Sequence, residues 1–303
     1  MKNKCSILVN SCDSYEDILD TFFELLHRFW PDLNFPIYLS TESLKYTNEY
    51  FDIINVHPLN KNCAWTTRIA ECLNMIDTDY VLLILDDFFL YDYVDSQAFE
   101  KCLNWMDSNS KIATFIFYPI CGKSKECNYD NFKQILKDSI YIICPAILSL
   151  WRKKSLLKYT EKYKEDIWLW EKNATNRSKT IYKKDEIYAT KFLNKNVFPY
   201  DFTKYGLFSG KWQKETVNLF EKLGIKAINF KKRGFYDESI RSLYGSIKAS
   251  FRFESAVICN YDLNHKGSSY IRNHNKRNNN KIKQIYDIRG SKNILRWEPA
   301  QQW

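Results

Sequence analysis

Two adjacent acidic residues, Asp86 and Asp87, follow the longest apolar run of the chain, Tyr80–Leu85. Neighbouring carboxylates at the end of a buried strand repel each other, and desolvation raises their pKa values. A hard divalent cation such as Mg²⁺ or Mn²⁺ relieves both problems, because it takes carboxylate oxygens and keeps positions for water and phosphate. A helix cap or solvated turn is the alternative. The apolar strand before the pair favours a metal site.

A further acid, Asp13, lies just after the apolar run Cys5–Asn10. An acid in this position can accept hydrogen bonds from a base or a ribose, as acids do in dinucleotide sites. The alternative is an Asx turn that opens the next helix. The chain contains neither GxGxxG nor GxxxxGK[ST], so we expect no glycine-rich phosphate loop.

Three cationic positions could meet phosphate groups. Arg68 lies in the first turns of a predicted helix that leads to the Asp86–Asp87 strand, where a guanidinium could pair with a phosphate or orient a carboxylate. Lys211 follows a glycine and precedes Trp212, and Arg233 precedes a glycine. Backbone can approach a phosphate closely at glycine. A surface arginine and solvated basic turns are the alternatives.

The segment Glu165–Glu171 combines two tryptophans with three acids in seven residues. Tryptophan faces stack on sugar rings or bases, so Trp170 is a candidate ligand contact. An acid in such a partly apolar pocket, Glu171 or Asp166, could serve as a general base. The alternative is a helix that packs its aromatic residues into the core and leaves its acids in solvent.

The first 120 residues alternate predicted strands and helices. Helical spacing of apolar residues marks Tyr15–Trp30 and Trp65–Ile76, and short apolar runs mark strands between and after them. This alternation predicts an α/β fold with a mostly parallel sheet flanked by helices. Ligands of such sheets bind beyond the carboxyl ends of the strands, where Asp13, Asp86 and Asp87 fall.

The order of these acidic and aromatic segments along the chain resembles that of the GT-A glycosyltransferases. These are nucleotide-sugar-dependent enzymes with a single Rossmann-like domain. More narrowly, they resemble bacterial capsule or lipopolysaccharide glycosyltransferase-like proteins. The resemblance covers residues 4–236. It rests on the segments Leu85–Phe89, Trp168–Glu171, Gly210–Trp212 and Arg233–Tyr236.

The resemblance implies a role for each matching residue. Asp86 and Asp87 stand at the DxD metal motif, here in an xDD form, with Asp87 the more direct ligand of Mn²⁺ or Mg²⁺. Asp13 matches the acid that contacts the nucleoside, and Arg68 would reach the nucleotide or its diphosphate. Glu171 matches the acceptor-side catalytic base, with Asp166 as its alternative. The remaining nucleotide-sugar contacts would come from Asp86, Trp170, Lys211, Trp212 and Arg233.

Composition limits the classes of protein. The chain has 303 residues, 45% of them hydrophobic, which excludes global disorder. Residues 204–303 carry 20 Lys and Arg against 8 Asp and Glu, whereas the other residues carry 25 against 28. A basic last third suggests an anionic partner, namely a membrane surface, a nucleic acid or a phosphate-bearing substrate. The alternative is that the charge simply aids solubility. The nine cysteines form no CxxC pair, which favours a reducing compartment.

These observations predict a GT-A domain over residues 1–236, with a nucleotide-sugar half up to about residue 120 and an acceptor half from 121 to 236. Residues 237–303 would form a basic, partly helical extension. The expected function is metal-dependent transfer of a sugar, with a nucleotide sugar, a glycan or lipid-linked acceptor and no nucleic acid as partners. We expect a cytoplasmic protein, with peripheral contact to the inner face of an anionic membrane. The alternatives are a non-catalytic nucleotide-sugar binder and a nucleic-acid-binding protein.

Overall fold

A computed structural model describes residues 4–120, 122–144, 148–192, 196–225 and 229–236, together with one short pair of strands further on. The strands are β1 Cys5–Asn10, β2 Ile37–Ser40, β3 Ile53–Val56, β4 Tyr80–Leu85, β5 Ile112–Ile116, β6 Ser124–Glu126, β7 Phe132–Ile135, β8 Ser149–Arg152, β9 Glu186–Thr190, β10 Leu207–Phe208, β11 Lys211–Trp212, β12 Ile285–Tyr286 and β13 Lys292–Asn293. The helices are α1 Glu16–Phe29, α2 Trp65–Met75, α3 Ser96–Ser108, α4 Lys153–Thr160, α5 Ile167–Thr180, α6 Lys214–Leu223 and α7 Phe230–Arg233.

Strands β1 to β9 form one sheet in the order β3-β2-β1-β4-β8-β5-β9-β7-β6. Strands β1, β2, β3 and β4 run parallel to one another, and β5 runs parallel to β9. Strand β8 pairs antiparallel with both β4 and β5, and β7 pairs antiparallel with β9 and β6. The predicted α/β, Rossmann-like fold class, with a mostly parallel sheet flanked by helices, is therefore confirmed.

The central strands are buried on both faces. Every residue of β1 and β5 is buried, as are the first five of β4, because helices cover the sheet. Helix α1 turns eight side chains inward, including Phe22 and Leu25, and ends just before Pro31. No helix among the described residues is long and apolar enough to cross a membrane.

The region after residue 120 continues the same sheet. Strand β8, from residues 149–152, inserts between β4 and β5, so one continuous sheet spans both predicted halves of the domain. Phe230 opens the short helix α7, which Asn229 caps. In the predicted extension, residues 237–303, the structure describes the antiparallel pair β12 and β13, and the rest lies outside the described residues.

Candidate functional site

The carboxyl ends of β1, β2 and β4 meet in one crevice, because these strands are parallel neighbours in the sheet. Asn10 pairs with both Ser40 and Leu85 in register. The residues that follow these three positions therefore converge: Ser11 and its neighbours from β1, Glu42 from the loop after β2, and Asp86 and Asp87 from β4. The sequence alone placed Asp13, Asp86 and Asp87 at this edge, and the structure adds Glu42.

Asp86 is buried at the floor of the crevice, with 4% of its surface exposed. Burial, followed by the charge of the adjacent Asp87, raises the pKa of Asp86 well above its usual range. Ser11 opposes this rise, because its Oγ donates a hydrogen bond to Asp86 Oδ2 across the boundary between β1 and β4. Asp86 is thus a strongly desolvated carboxyl group whose donors, the Ser11 hydroxyl and its own backbone amide, are both neutral.

Asp87 lies under the turn that leads into β10. Burial raises the pKa of Asp87 to about 6, and the backbone amides of Asp87 and Leu207 and the charge of Arg233 oppose the rise. Gly206 passes directly over the Asp87 backbone, so a Cβ atom placed there would lie 2.5 Å from the Asp87 carbonyl oxygen. This close approach connects the C-terminal part of the described chain to the acidic pair.

Arg68 reaches the crevice from α2 and joins it to the loop after β2. Its Nη1 atom donates to Glu42 Oε1 at 2.5 Å and its Nη2 atom donates to Asn10 Oδ1 at 3.3 Å. Its Nε–H is buried without a hydrogen-bond partner. A guanidinium group in this position is suited to a phosphate or carboxylate group. The surface interpretation of Arg68 is wrong, because the side chain is 12% exposed.

Asp13 holds the loop after β2. Its Oδ1 atom accepts hydrogen bonds from the amides of Ser43 and Leu44 at 2.9 and 3.0 Å, and its Oδ2 atom accepts from Ser43 Oγ at 2.6 Å. Burial by itself would raise the pKa of Asp13, but these bonds outweigh it and lower the pKa to about 2. Glu42 completes the loop by accepting from the Asp13 amide at 2.6 Å.

We expect Asp13→Asn to destabilise the fold by about 1 kcal/mol at pH 7, the cost of a weakened side-chain cap at a partly exposed site. The folded pKa of Asp13 lies below its ordinary value, so its contribution is present above about pH 4 and fades as the pH falls towards 2. Urea titrations of both proteins at several pH values measure this. Asp130→Asn, at an exposed carboxylate, is the control. A difference that grows on acidification would contradict the prediction.

Arg233 closes one side of the crevice. Its guanidinium binds both carboxylate oxygens of Asp17 and donates to the Ser14 carbonyl at 2.6 Å. It also lies 4.4 Å from the centre of the Tyr15 ring. The charges of Asp86 and Asp87 act on both Arg233 and Tyr15. The primary partner of Arg233 in this structure is therefore Asp17.

The two candidate bases occupy different environments. Asp166 is exposed and caps α5, because its Oδ1 atom accepts from the amides of Trp168 and Leu169 at 2.8 Å. Glu171 lies one turn further on and is buried, with the Cys144 thiol 3.7 Å from its Oε2 atom. The capping interpretation therefore accounts for Asp166, whereas Glu171 is buried against the Cys144 thiol.

Two predicted aromatic contacts need correction. Trp170 is fully buried, packs against Trp65 and Trp151, and donates its Nε1–H to the Tyr159 carbonyl. Trp212 is also fully buried, in an aromatic cluster with Phe89, Phe220 and Phe230. Neither ring has an exposed face on which a sugar could stack in this structure, because neighbouring apolar side chains cover both rings. Lys211, beside Trp212, is exposed.

The acidic pair fits a small hard cation. Within the described parts of the chain, no cluster of three or more His, Cys, Asp or Glu side chains has metal-binding geometry. A cation here would therefore rest on Asp86 and Asp87 alone. Mg²⁺ commonly binds in this way, through one or two carboxylates, with water and substrate phosphates as its other ligands. Burial is the main cause of the raised pKa values of both carboxyl groups.

Sequence reasoning missed five contributors to this crevice: Ser11, Tyr15, Asp17, Glu42 and Gly206. Ser11 and Tyr15 flank Asp13, and their proximity to it was the one available signal. Glu42 and Asp17 belong to no motif. Each was identifiable only from its arginine partner, which is distant in the sequence.

Comparisons with known proteins give fold likenesses only. No protein-family profile matches the chain, and no curated protein matches it. Among solved structures, Staphylococcus aureus TarS residues 1–349 in complex with UDP has a TM-score of 0.42 and 13% identity over 62% of this chain and 57% of that one. UDP-glucose pyrophosphorylase complexed with UDP-glucose has a TM-score of 0.41 and 11% identity, over 66% and 92% of the respective chains.

A cytidylyltransferase from Leptospira borgpetersenii has a TM-score of 0.37 and 11% identity over 77% of this chain and 99% of that one. Against another TarS structure of residues 1–349, the matched region spans 60% of that chain's length. At such identities and TM-scores, no residue role and no activity passes from these proteins to this chain. The functional argument depends on the crevice itself.

Proposed function

We propose that the chain is a metal-dependent glycosyltransferase that transfers a sugar from a nucleotide sugar, of the UDP class, to a hydroxyl group of a bacterial surface-polysaccharide or lipid-linked glycan acceptor. The observation that carries this proposal is the desolvated Asp86–Asp87 pair, which shares one crevice with Arg68 and Arg233. Carboxylates and guanidinium groups in one crevice suit a ligand that brings both a cation and a diphosphate.

Each side chain has a distinct task in this proposal. Asp86 and Asp87 would hold Mn²⁺ or Mg²⁺, which when bound supplies positive charge for the leaving diphosphate. Arg68 binds the nucleotide or its diphosphate from the α2 side, and Asp13 positions the loop that borders the nucleoside. Glu171 takes the proton of the acceptor hydroxyl as that oxygen attacks the anomeric carbon, which gives inversion. Asp166 is the alternative base, although its carboxylate already caps α5.

A thermal-shift screen of nucleotide sugars with and without Mn²⁺ tests the proposal. A ligand that binds only the folded protein at 100 times its Kd stabilises it by about 2.7 kcal/mol, which is about 5–10 °C for a domain of this size. We expect such a shift with one UDP-sugar, and only when the metal is present. The absence of a shift with every nucleotide sugar would refute the proposal.

Two other functions remain distinct outcomes. A non-catalytic nucleotide-sugar binder would give the thermal shift but no metal-dependent hydrolysis of the bound donor. A nucleic-acid-binding protein would instead show steeply salt-dependent binding of DNA or RNA through the basic residues 204–303.

A further inference from the structure

One stripe of helix α5 runs from an exposed ring to a buried acid. Trp168, Glu171 and Thr175 are spaced at i, i+3 and i+7, so their side chains follow one another along the same side of the helix. Glu171 and Thr175 are buried, whereas Trp168 keeps 56% of its surface exposed. Trp170 lies on the other flank of α5 and packs against Trp65 at the start of α2. The exposed indole therefore stands one turn before Glu171, on the flank of α5 away from α2.

The buried part of this stripe faces the chain segment 142–144. The Thr175 Oγ1 atom accepts hydrogen bonds from the amides of Ile142 and Ile143 at 3.3 and 3.1 Å. The Cys144 thiol lies 3.7 Å from the Oε2 atom of Glu171. These contacts hold the buried part of the stripe against the segment, and Trp168 lies at the outer end of the same stripe.

Segment 142–144 places Glu171 at the same edge of the sheet as the acidic pair. Strand β8 pairs antiparallel with β4, so the chain that leads into β8 arrives from the carboxyl edge of β4. Burial, together with the charges of neighbouring groups that include Cys144, raises the pKa of Tyr200. The Tyr200 ring stacks on the Phe88 ring at 5.0 Å, and Phe88 directly follows Asp87. A short series of neighbouring side chains therefore leads from Glu171 to Asp87.

The chemistry of this flank suits a neutral sugar ring. Tryptophan presents a flat apolar face, on which the C–H face of a pyranose ring can stack. Asp166 and Glu171 both lie within one turn of Trp168, and their carboxyl groups disfavour the phosphate groups that accompany a nucleobase. The neighbours of Trp168 one turn along the helix, Glu171 and Lys172, are polar, whereas a protein partner would need a contiguous apolar patch.

We propose that Trp168 forms an acceptor subsite, in which a pyranose ring of the glycan acceptor stacks on the indole and directs a hydroxyl group towards Glu171. Sugars of the β-linked gluco configuration fit such a platform best, because their equatorial hydroxyl groups leave C–H groups on both faces of the ring. This deepens the proposed function, on which the role of Glu171 as a base rests. The stacking itself depends only on the exposed ring and the acid beside it.

Fluorine NMR of the full chain labelled with 5-fluorotryptophan tests this subsite. The Trp168 signal is assigned by its absence from the spectrum of Trp168→Leu. We expect cellotriose or chitotriose to shift the Trp168 signal saturably, and sorbitol, an acyclic polyol without a ring face, to leave it unchanged. In calorimetric titrations, Trp168→Leu should weaken binding of the same trisaccharide about tenfold, and Trp168→Tyr should stay within about threefold of the wild type.

Tyr93→Leu is the matched control for the loss of an exposed ring. Tyr93 is 63% exposed, and its ring packs against Phe29 at the end of α1, at the opposite edge of the sheet. This variant should bind the trisaccharide as the wild type does. Equal weakening by Trp168→Leu and Tyr93→Leu would overturn the proposal. So would a Trp168 signal that moves with neither trisaccharide, or one that moves equally with sorbitol.

Donor binding by the wild type separates this proposal from the function of the crevice. A nucleotide-sugar thermal shift in a protein whose Trp168 signal moves with neither trisaccharide would remove the subsite and leave the glycosyltransferase assignment. A Trp168 signal that moves selectively with a trisaccharide, in a protein that shows no shift with any nucleotide sugar, would keep the sugar platform and remove that assignment. Both responses together support both proposals.

Discussion

Replacement of Asp87 by asparagine should lower metal-dependent donor turnover at least about 10³-fold, because the side chain would lose a negative charge that holds the cation against the diphosphate. The metal-dependent thermal shift with the donor should disappear in the same variant. Turnover is measured as release of the nucleoside diphosphate, with Mn²⁺ and after its removal by chelation. Wild-type protein without metal should resemble the variant with metal.

Loss of the fold would not explain this result. Burial raises the folded pKa of Asp87 to about 6, so the ionised carboxylate opposes folding as the pH rises above about 4. The asparagine variant is neutral and nearly isosteric, and we therefore expect the metal-free variant to be at least as stable as the wild type at pH 8. Asp130→Asn, at an exposed carboxylate, is the control and should retain full turnover. Full turnover in Asp87→Asn would exclude this residue as a metal ligand.

Replacement of Gly206 by alanine should destabilise the fold by about 3–5 kcal/mol. The added methyl group would strain the backbone of residue 206 and would also push the Asp87 backbone away from it. Gly206 has a φ of 96°, which L side chains rarely adopt, and an added Cβ would lie 2.5 Å from the Asp87 carbonyl oxygen. Two backbone segments would have to separate at this point. Any remaining folded protein should also lose the metal-dependent thermal shift, because Asp87 moves with its backbone.

Gly224 provides the matched control for this prediction. It ends α6 in the left-handed region with a φ of 75°, and no atom lies within 4 Å of an added Cβ. Gly224→Ala should therefore cost only the backbone term of about 1–2 kcal/mol. Urea unfolding of the two variants measures the difference. Equal destabilisation would show that the contact over Asp87 does not constrain the site.

Much of this architecture could be predicted from the spacing of apolar residues in the sequence. The apolar runs before Asp13 and before Asp86 each form a buried strand, because a short run of apolar side chains is most stable when both of its faces are removed from water. Helices α1 and α2 begin and end within one residue of the predicted ranges, since their apolar spacing has the period of a helix. Two acids at the ends of parallel strands must then share one edge of the sheet.

Local sequence pattern could not predict contacts between residues that lie far apart in the sequence. Strand β8 enters the sheet between β4 and β5, and nothing in its four residues specifies those neighbours. Arg233 pairs with Asp17 across 216 positions of sequence. Partners of this kind are selected by the packed fold as a whole, so neither residue's own surroundings in the chain identify the other.

The aromatic residues show the same division between sequence and structure. Sequence showed that Trp170 and Trp212 lie among charged residues, which is compatible both with a ligand platform and with a helix or strand that packs one face. The tertiary structure shows that both tryptophans pack in the core, because neighbouring aromatic rings from other elements cover both indoles completely. Residue type and spacing fixed the acidic edge of the sheet. Only the three-dimensional packing decided which side chains face the crevice, since burial depends on what the rest of the chain places against each residue.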